Sequence, residues 1–197
     1  MFVYCLNNPI NFSDNIGTRC VAANPIAGGH AYNQADITIV NIRDNIIKAA
    51  EQYNIDKNVL AACIYVEQYY NYDLIDVITD VPLFFLDTSV GVAQVKISTA
   101  KLVAENGYVP AYGNGMLQNL QIATRLQNDD AYNIQCAAAY LSYLADCWDA
   151  VYDVSSDPAV WGTLYNKGVG IPHGSPGPNF FGERVSGYYW YMELLLQ

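Results

Sequence analysis

The sequence predicts a mainly α fold with little or no β, on three observations. Apolar residues recur at helical spacing in segment after segment from residue 36 onward. Most of these segments open on a capping residue or close on Gly or Asn. Only residues 77 to 96 leave room for strands.

The elements follow in order. Residues 1–35, rich in Asn, Gly and Pro, form an irregular N-terminal segment, and residues 36–197 form one helical domain. "DITIVNIRDNIIKAAEQYN" sets Ile39, Ile42, Ile46, Ala49 and Tyr53 on one stripe, with Asp36 as the expected N-cap. "IDKNVLAACIYVEQYY" restarts at Asp56 as cap and buries Val59, Leu60, Cys63, Ile64 and Val66. Residues 71 to 89 read as irregular. "STAKLVAENG" is a short helix, capped by Ser98 and stopped by Gly107. "GMLQNLQIATRLQND" is helical, and "DAYNIQCAAAYLSYLADCWDAVYD" is expected to be the longest helix and to run through the core, being apolar on most of its circumference. "DPAVWGTLYNKG" has Asp157 as cap and Pro158 at the first helical position, where a missing donor costs nothing. "VGIPHGSPGPNF" is a loop, and "GERVSGYYWYMELLL" is the last helix.

Composition narrows the function. Of the 197 residues, 52% are hydrophobic and 14% charged, enough for a sizeable core in one domain. The formal net charge of −10 disfavours a phosphate backbone as partner, so nucleic acid is not expected. No apolar run is long enough to span a bilayer, so no membrane partner is expected, and "MFVYCLNNPI" lacks the basic start of a secretory signal. The five cysteines (Cys5, Cys20, Cys63, Cys136 and Cys147) show no CxxC pair, and only two histidines accompany them. No metal site and no cofactor are therefore expected. Cys63, Cys136 and Cys147 fall in helical patterns as small apolar residues, and a disulfide between two of the five stays open.

One carboxylate stands out. Glu67 closes the apolar run of "ACIYVEQYYNYD", directly before a cluster of tyrosines. By itself a helix glutamate is usually a solvated charge. Three more stretches accompany it: "SVGVAQVKISTAKLV", with Gly91 and Gln94 set as GxxQ; "NIQCAAAYLSYL", with Asn133, Ala137 and Tyr140 on a buried helix; and "TLYNKGVG", with Tyr165 and Asn166 before a glycine.

In the order and spacing of these four motifs the chain resembles the lysozyme superfamily, specifically the soluble lytic transglycosylase and goose-type lysozyme group. The resemblance covers roughly residues 36 to 170. The family's helix ends in Glu, followed by Ser, an aromatic and Asn; here Glu67 is followed by Gln68, Tyr70 and Asn71. The family's GLMQ-type turn corresponds to "GVAQ", and its AYNAG motif to "LYNKG", with Lys167 in place of Ala. The resemblance implies a transglycosylase-type helical domain that cleaves peptidoglycan between N-acetylmuramic acid and N-acetylglucosamine. It implies Glu67 as general acid and later base, with Gly91, Gln94, Tyr140, Tyr165, Asn166 and Tyr70 holding the sugar. Goose-type relatives add an aspartate that positions water. Asp87 is the first candidate for it, ahead of Asp73, Asp76 and Asp80.

The chemistry explains the residue types. Cleaving a glycosidic bond needs a proton on the leaving oxygen as positive charge grows on the ring. A carboxyl group keeps that proton near neutrality only when burial raises its pKa, which "YVEQYY" is suited to do. Neutral amide and hydroxyl groups hold the sugar without competing for the proton, and exposed tyrosines and Trp161 can stack on sugar faces. Each residue also has a structural alternative. Gln94 caps a turn, Tyr140 and Tyr165 are core residues bonded to backbone, Asn166 ends a helix, and the aspartates are a solvated acidic loop.

"FVYCLNNPINFSDNIG" separately resembles the end of the core of rearrangement-hotspot (YD-repeat) proteins, which carry toxin domains directly after that motif. This implies a toxin payload secreted or directed to the cell wall as part of a larger protein, with a neutralising immunity protein as a further partner. Two rival readings stay open: a catalytically silent lysozyme-like domain that binds glycan or protein, and a hydrolase of chitin-like polymers.

Overall fold

The computed structural model describes residues 33–71, 87, 89–110, 116–170 and 176–197. The N-terminal motif, Cys5 and Cys20, Asp73, Asp76 and Asp80, and residues 171–175 of the expected loop lie outside them. The order is α1 (Gln34–Tyr53), α2 (Lys57–Asn71), β1 (Ser89–Val90), β2 (Val95–Lys96), α3 (Ile97–Glu105), α4 (Met116–Asn128), α5 (Asp130–Trp148), a 3-10 turn (Val154–Ser156), α6 (Pro158–Lys167) and α7 (Phe180–Leu195). The fold is mainly α, as expected, and the described strands fall inside the predicted window.

Helix α1 buries Ile39, Ile42, Ile46 and Ala49 of the predicted stripe and also Ala50, while Tyr53, at its end, is half-buried. Its N-cap is Asn33 rather than Asp36. The Asn33 side chain accepts from the Asp36 amide while Asp36 accepts from the Asn33 amide, a reciprocal capping box. Asp36 is buried there and also accepts from the Tyr191 hydroxyl at 3.0 Å, which ties the start of the domain to its last helix. Asp56 does cap α2, accepting the Asn58 amide at 2.7 Å. For α3 the cap is not Ser98. Ser98 lies inside the first turn and its amide is held by Asp87 at 2.9 Å, so the carboxylate comes from an earlier segment. Asp157 and Pro158 open α6 as predicted.

The core lies between α2 and α5. On α2 every residue from Val59 to Val66 is buried, and on α5 Asn133, Ile134 and Cys136 to Leu141 are all buried. That all-round burial suits the Ala-rich α5 sequence, because small side chains let other helices approach on several sides. At 19 residues α5 is one shorter than the 20-residue α1, which is the longest described helix. Helix α1 packs on α2 and α5, α3 and α4 pack on α5, and α7 packs on α6 and α2. The α6–α7 contact is close because of two glycines. A Cβ on Gly182 would lie 2.1 Å from the Ala159 carbonyl oxygen, and one on Gly162 would lie 2.7 Å from Val185. Trp161, expected to stack on sugars, is 4% exposed and belongs to this core. Its position on the inner side of α6 determines that, since a large apolar ring is stabilised by removal from water.

Candidate active site

Glu67 sits where α2 leaves the core. Cys63 to Val66 are buried, Glu67 and Gln68 are half-buried, and Tyr69 and Tyr70 are exposed. Its carboxylate is close enough to Cys63 and Tyr165 to act on both. Burial first, and the Glu67 charge second, push the Cys63 thiol and the Tyr165 hydroxyl well above their ordinary values. Helix spacing explains the first neighbour, four residues back on the same face. The second comes from α6, distant in sequence.

Opposite the end of α2 lies the turn between β1 and β2, paired Ser89 to Lys96 and Val90 to Val95. Gly91 and Gln94 both have positive φ, 77° and 50°. Gly91 meets that demand without strain; Gln94 is held by its own amide and its Nε2, both donating to the Gly91 carbonyl, at 3.1 and 2.9 Å. Three helices brace this turn. Gln68 of α2 donates to the Val92 carbonyl at 2.7 Å, and Tyr165 of α6 donates its hydroxyl to the Ala93 carbonyl at 2.7 Å. Asn133 of α5, fully buried, accepts from the Ala93 amide at 2.7 Å and donates to the Val90 and Leu126 carbonyls at 2.8 and 3.0 Å.

The structure thus brings Glu67, Tyr165 and the Gly91–Gln94 turn together. Tyr140 joins from α5, its ring centroid 6.0 Å from that of Tyr165, with Gly168 beside its hydroxyl. Asn166 is exposed and accepts from the Asn179 side chain at 3.0 Å. Tyr70 is exposed one turn beyond Glu67. Asp87 is exposed, and its two oxygens accept from the amide and hydroxyl of Ser98, at 2.9 and 2.6 Å. An open depression lined by Leu120, Gln121, Thr124, Arg125, Asn128 and Asp129 takes in none of these residues.

Sequence reasoning missed Arg184 and Phe180. The Arg184 guanidinium lies over the Tyr70 ring at 3.4 Å and over the Phe180 ring at 3.8 Å. The signal was the i, i+4 spacing in "FFGER", which stacks a cation on an aromatic of the same helix face. It also missed the bracing role of Asn133.

A helical domain whose half-buried glutamate closes the buried run of a core helix, near a turn fixed by a buried asparagine and a tyrosine, is a lysozyme-like domain. Residues 31–146 match the family described as T6SS, Peptidoglycan muramidase Tse3, catalytic domain, and the chain belongs to that family. No curated protein and no solved structure matches the chain. No helix of the described residues is long and apolar enough to cross a membrane.

Proposed function

We propose that the domain cleaves the β-1,4 bond between N-acetylmuramic acid and N-acetylglucosamine in peptidoglycan, with Glu67 as its general acid. The observation that carries this reading is the position of Glu67, half-buried at the core edge beside Tyr165, which itself is bonded to the Gly91–Gln94 turn. The muramidase family supports the substrate. Protonated Glu67 gives its proton to the glycosidic oxygen as the bond to C1 breaks and positive charge develops on the muramyl ring. The resulting carboxylate then takes a proton from the attacking hydroxyl.

Both oxygens of Asp87 hold Ser98, which speaks against Asp87 as a second catalytic carboxylate. In a route with Glu67 as the single carboxylate, which this reading adopts, the nucleophile is the muramyl O6 hydroxyl and the product ends in a 1,6-anhydro ring. Gln94, Gly91, Tyr140, Tyr165, Asn166 and Tyr70 line or shape the sugar site. Delivery as the payload of a larger exported protein, with an immunity protein that occludes the cleft, belongs to the same reading. It is supported by the T6SS origin in the family's description.

Incubation with purified peptidoglycan, with Glu67→Gln as control, tests it. Muropeptides one water lighter than hydrolytic products are expected from the unchanged protein alone. Products of ordinary mass would replace transglycosylation by hydrolysis. Absence of product would leave a silent glycan-binding domain.

A further inference from the structure

Arg184 is a cation fixed in place, and it pairs with no carboxylate among the described residues. Its guanidinium lies over two aromatic rings, Tyr70 from α2 and Phe180 from its own helix. Ring stacking uses the faces of the guanidinium and leaves its in-plane N–H donors at the edge. The ion pairs among the described residues are Arg43 with Asp44 and Arg125 with Asp129, and neither includes Arg184. The described lysines likewise pair with no described carboxylate; what sets Arg184 apart among the described residues is that two rings hold its guanidinium in one place.

Its position is equally specific. Tyr70 follows Glu67 by three residues, so the two side chains are neighbours on the surface of α2, about 5 Å apart along the helix. Phe181, beside Phe180, stacks on Tyr165 with ring centroids 6.3 Å apart. The cation therefore rests on the ring of the residue one helical turn beyond the proposed acid, at the start of α7. Phe180 itself is 58% exposed, which leaves its ring accessible beside the guanidinium.

We propose that Arg184, held by Tyr70 and Phe180, is a carboxylate-recognition site of the glycan cleft that selects anionic, muramyl-containing strands over neutral ones. This rests on the glycan-cleaving reading above. A planar fork of N–H donors matches a carboxylate two-pronged, and such charge-assisted bonds are the stronger kind. Because the protein as a whole repels anions, a local cation is needed wherever a negatively charged sugar is to be bound next to a carboxyl acid. Two sources offer this chemistry: the lactyl carboxylate of a peptide-free muramyl residue, and the carboxylates of the stem peptide.

The test compares the unchanged protein, Arg184→Gln and Arg184→Lys on three strands: intact peptidoglycan fragments, the same strands stripped of peptide, and stripped strands with their lactyl carboxylates methyl-esterified. Loss of the two-pronged contact should raise KM about tenfold or more in Arg184→Gln on the carboxylate-bearing strand, with kcat little changed. Arg184→Lys should recover part of this. On esterified strands the unchanged protein and Arg184→Gln should have equal KM, which also shows that the variant is folded. A KM effect on stripped strands identifies the lactyl group; one confined to intact fragments identifies the stem peptide. Equal KM changes on charged and esterified strands, or none on either charged strand, would overturn the proposal while leaving the glycan-cleaving reading intact. No cleavage of any strand by the unchanged protein would reject both.

Discussion

The buried side chain of Asn133 accepts the backbone amide of Ala93 at 2.7 Å, joining the core helix α5 to the turn that faces Glu67. Its Nδ2 serves two further carbonyls, so one carboxamide satisfies three backbone groups through buried bonds. Asn133→Ala should destabilise the domain by about 3 kcal/mol, because each buried polar group left alone costs roughly 1–3 kcal/mol. Chemical denaturation measures this. Asn133→Asp should recover little, since it keeps the acceptor and loses both donors.

Gly91 makes the complementary prediction. A Cβ there would lie 2.1 Å from Asn133 Nδ2 and 2.2 Å from the Leu126 carbonyl oxygen, at a φ of +77°. Positive φ alone costs a non-glycine residue on the order of 1 kcal/mol or more, and these contacts force the turn away from α5. Gly91→Ala should therefore lower Tm and also reduce glycan cleavage. Gly107→Ala, where a Cβ would meet nothing within 4 Å at a φ of +80°, should carry only the backbone cost and leave cleavage unchanged.

Glu67 and Asp87 should separate cleanly. Glu67→Gln should reduce muropeptide release at least about a hundredfold, the scale of a lost general acid, with Tm near that of the unchanged protein. Asp87→Ala should do the reverse. It removes the carboxylate that holds the first turn of α3, so about 1 kcal/mol of stability is lost while kcat is retained. A comparable loss of kcat in Asp87→Ala would return this residue to the catalytic pair.

Stability should fall at alkaline pH. Burial pushes the Cys136 thiol from 9.0 up to about 12 and the Tyr140 hydroxyl from 10.0 up to about 12. Both groups favour their neutral form in the fold. Their contribution is complete below pH 9 and declines as the unfolded chain ionises first, by about 1.4 kcal/mol per pH unit for each group. Between pH 9 and 12 Tm should drop steeply, and Cys136→Ala should make the decline shallower without moving its onset, because the buried Cys63 thiol remains.

Much of the fold was legible because helical stripes and caps are local signals. Ile39, Ile42 and Ile46 mark one face of α1, and the Asp157–Pro158 start of α6 follows from dihedral and donor chemistry alone. Cap identity was less legible where the partner is distant. Asp36 reads as a cap in sequence, yet its burial under Tyr191 makes it the inner member of a box opened by Asn33. Ser98 reads as a cap, yet Asp87 supplies the cap from across the hairpin. The spacing of motifs was enough to bring Glu67, Gln94 and Tyr165 under consideration together. It could not show that Trp161 turns inward, because one aromatic suits both a core and a cleft, and it gave no warning that Arg184 would reach Tyr70 from another helix.

The Gly91–Gln94 turn is held by side chains from α2, α5 and α6, and this has a consequence for motion. A loop anchored on three sides cannot swing open by itself; releasing it means pulling the bundle apart. The amide hydrogen of Ala93, gripped by Asn133, should exchange with deuterated solvent only as fast as the whole domain unfolds. The backbone beside Glu67 is then as durable as the domain itself, so any adjustment to a bound strand falls to the exposed aromatic rings of Tyr69, Tyr70 and Phe180 rather than to the turn.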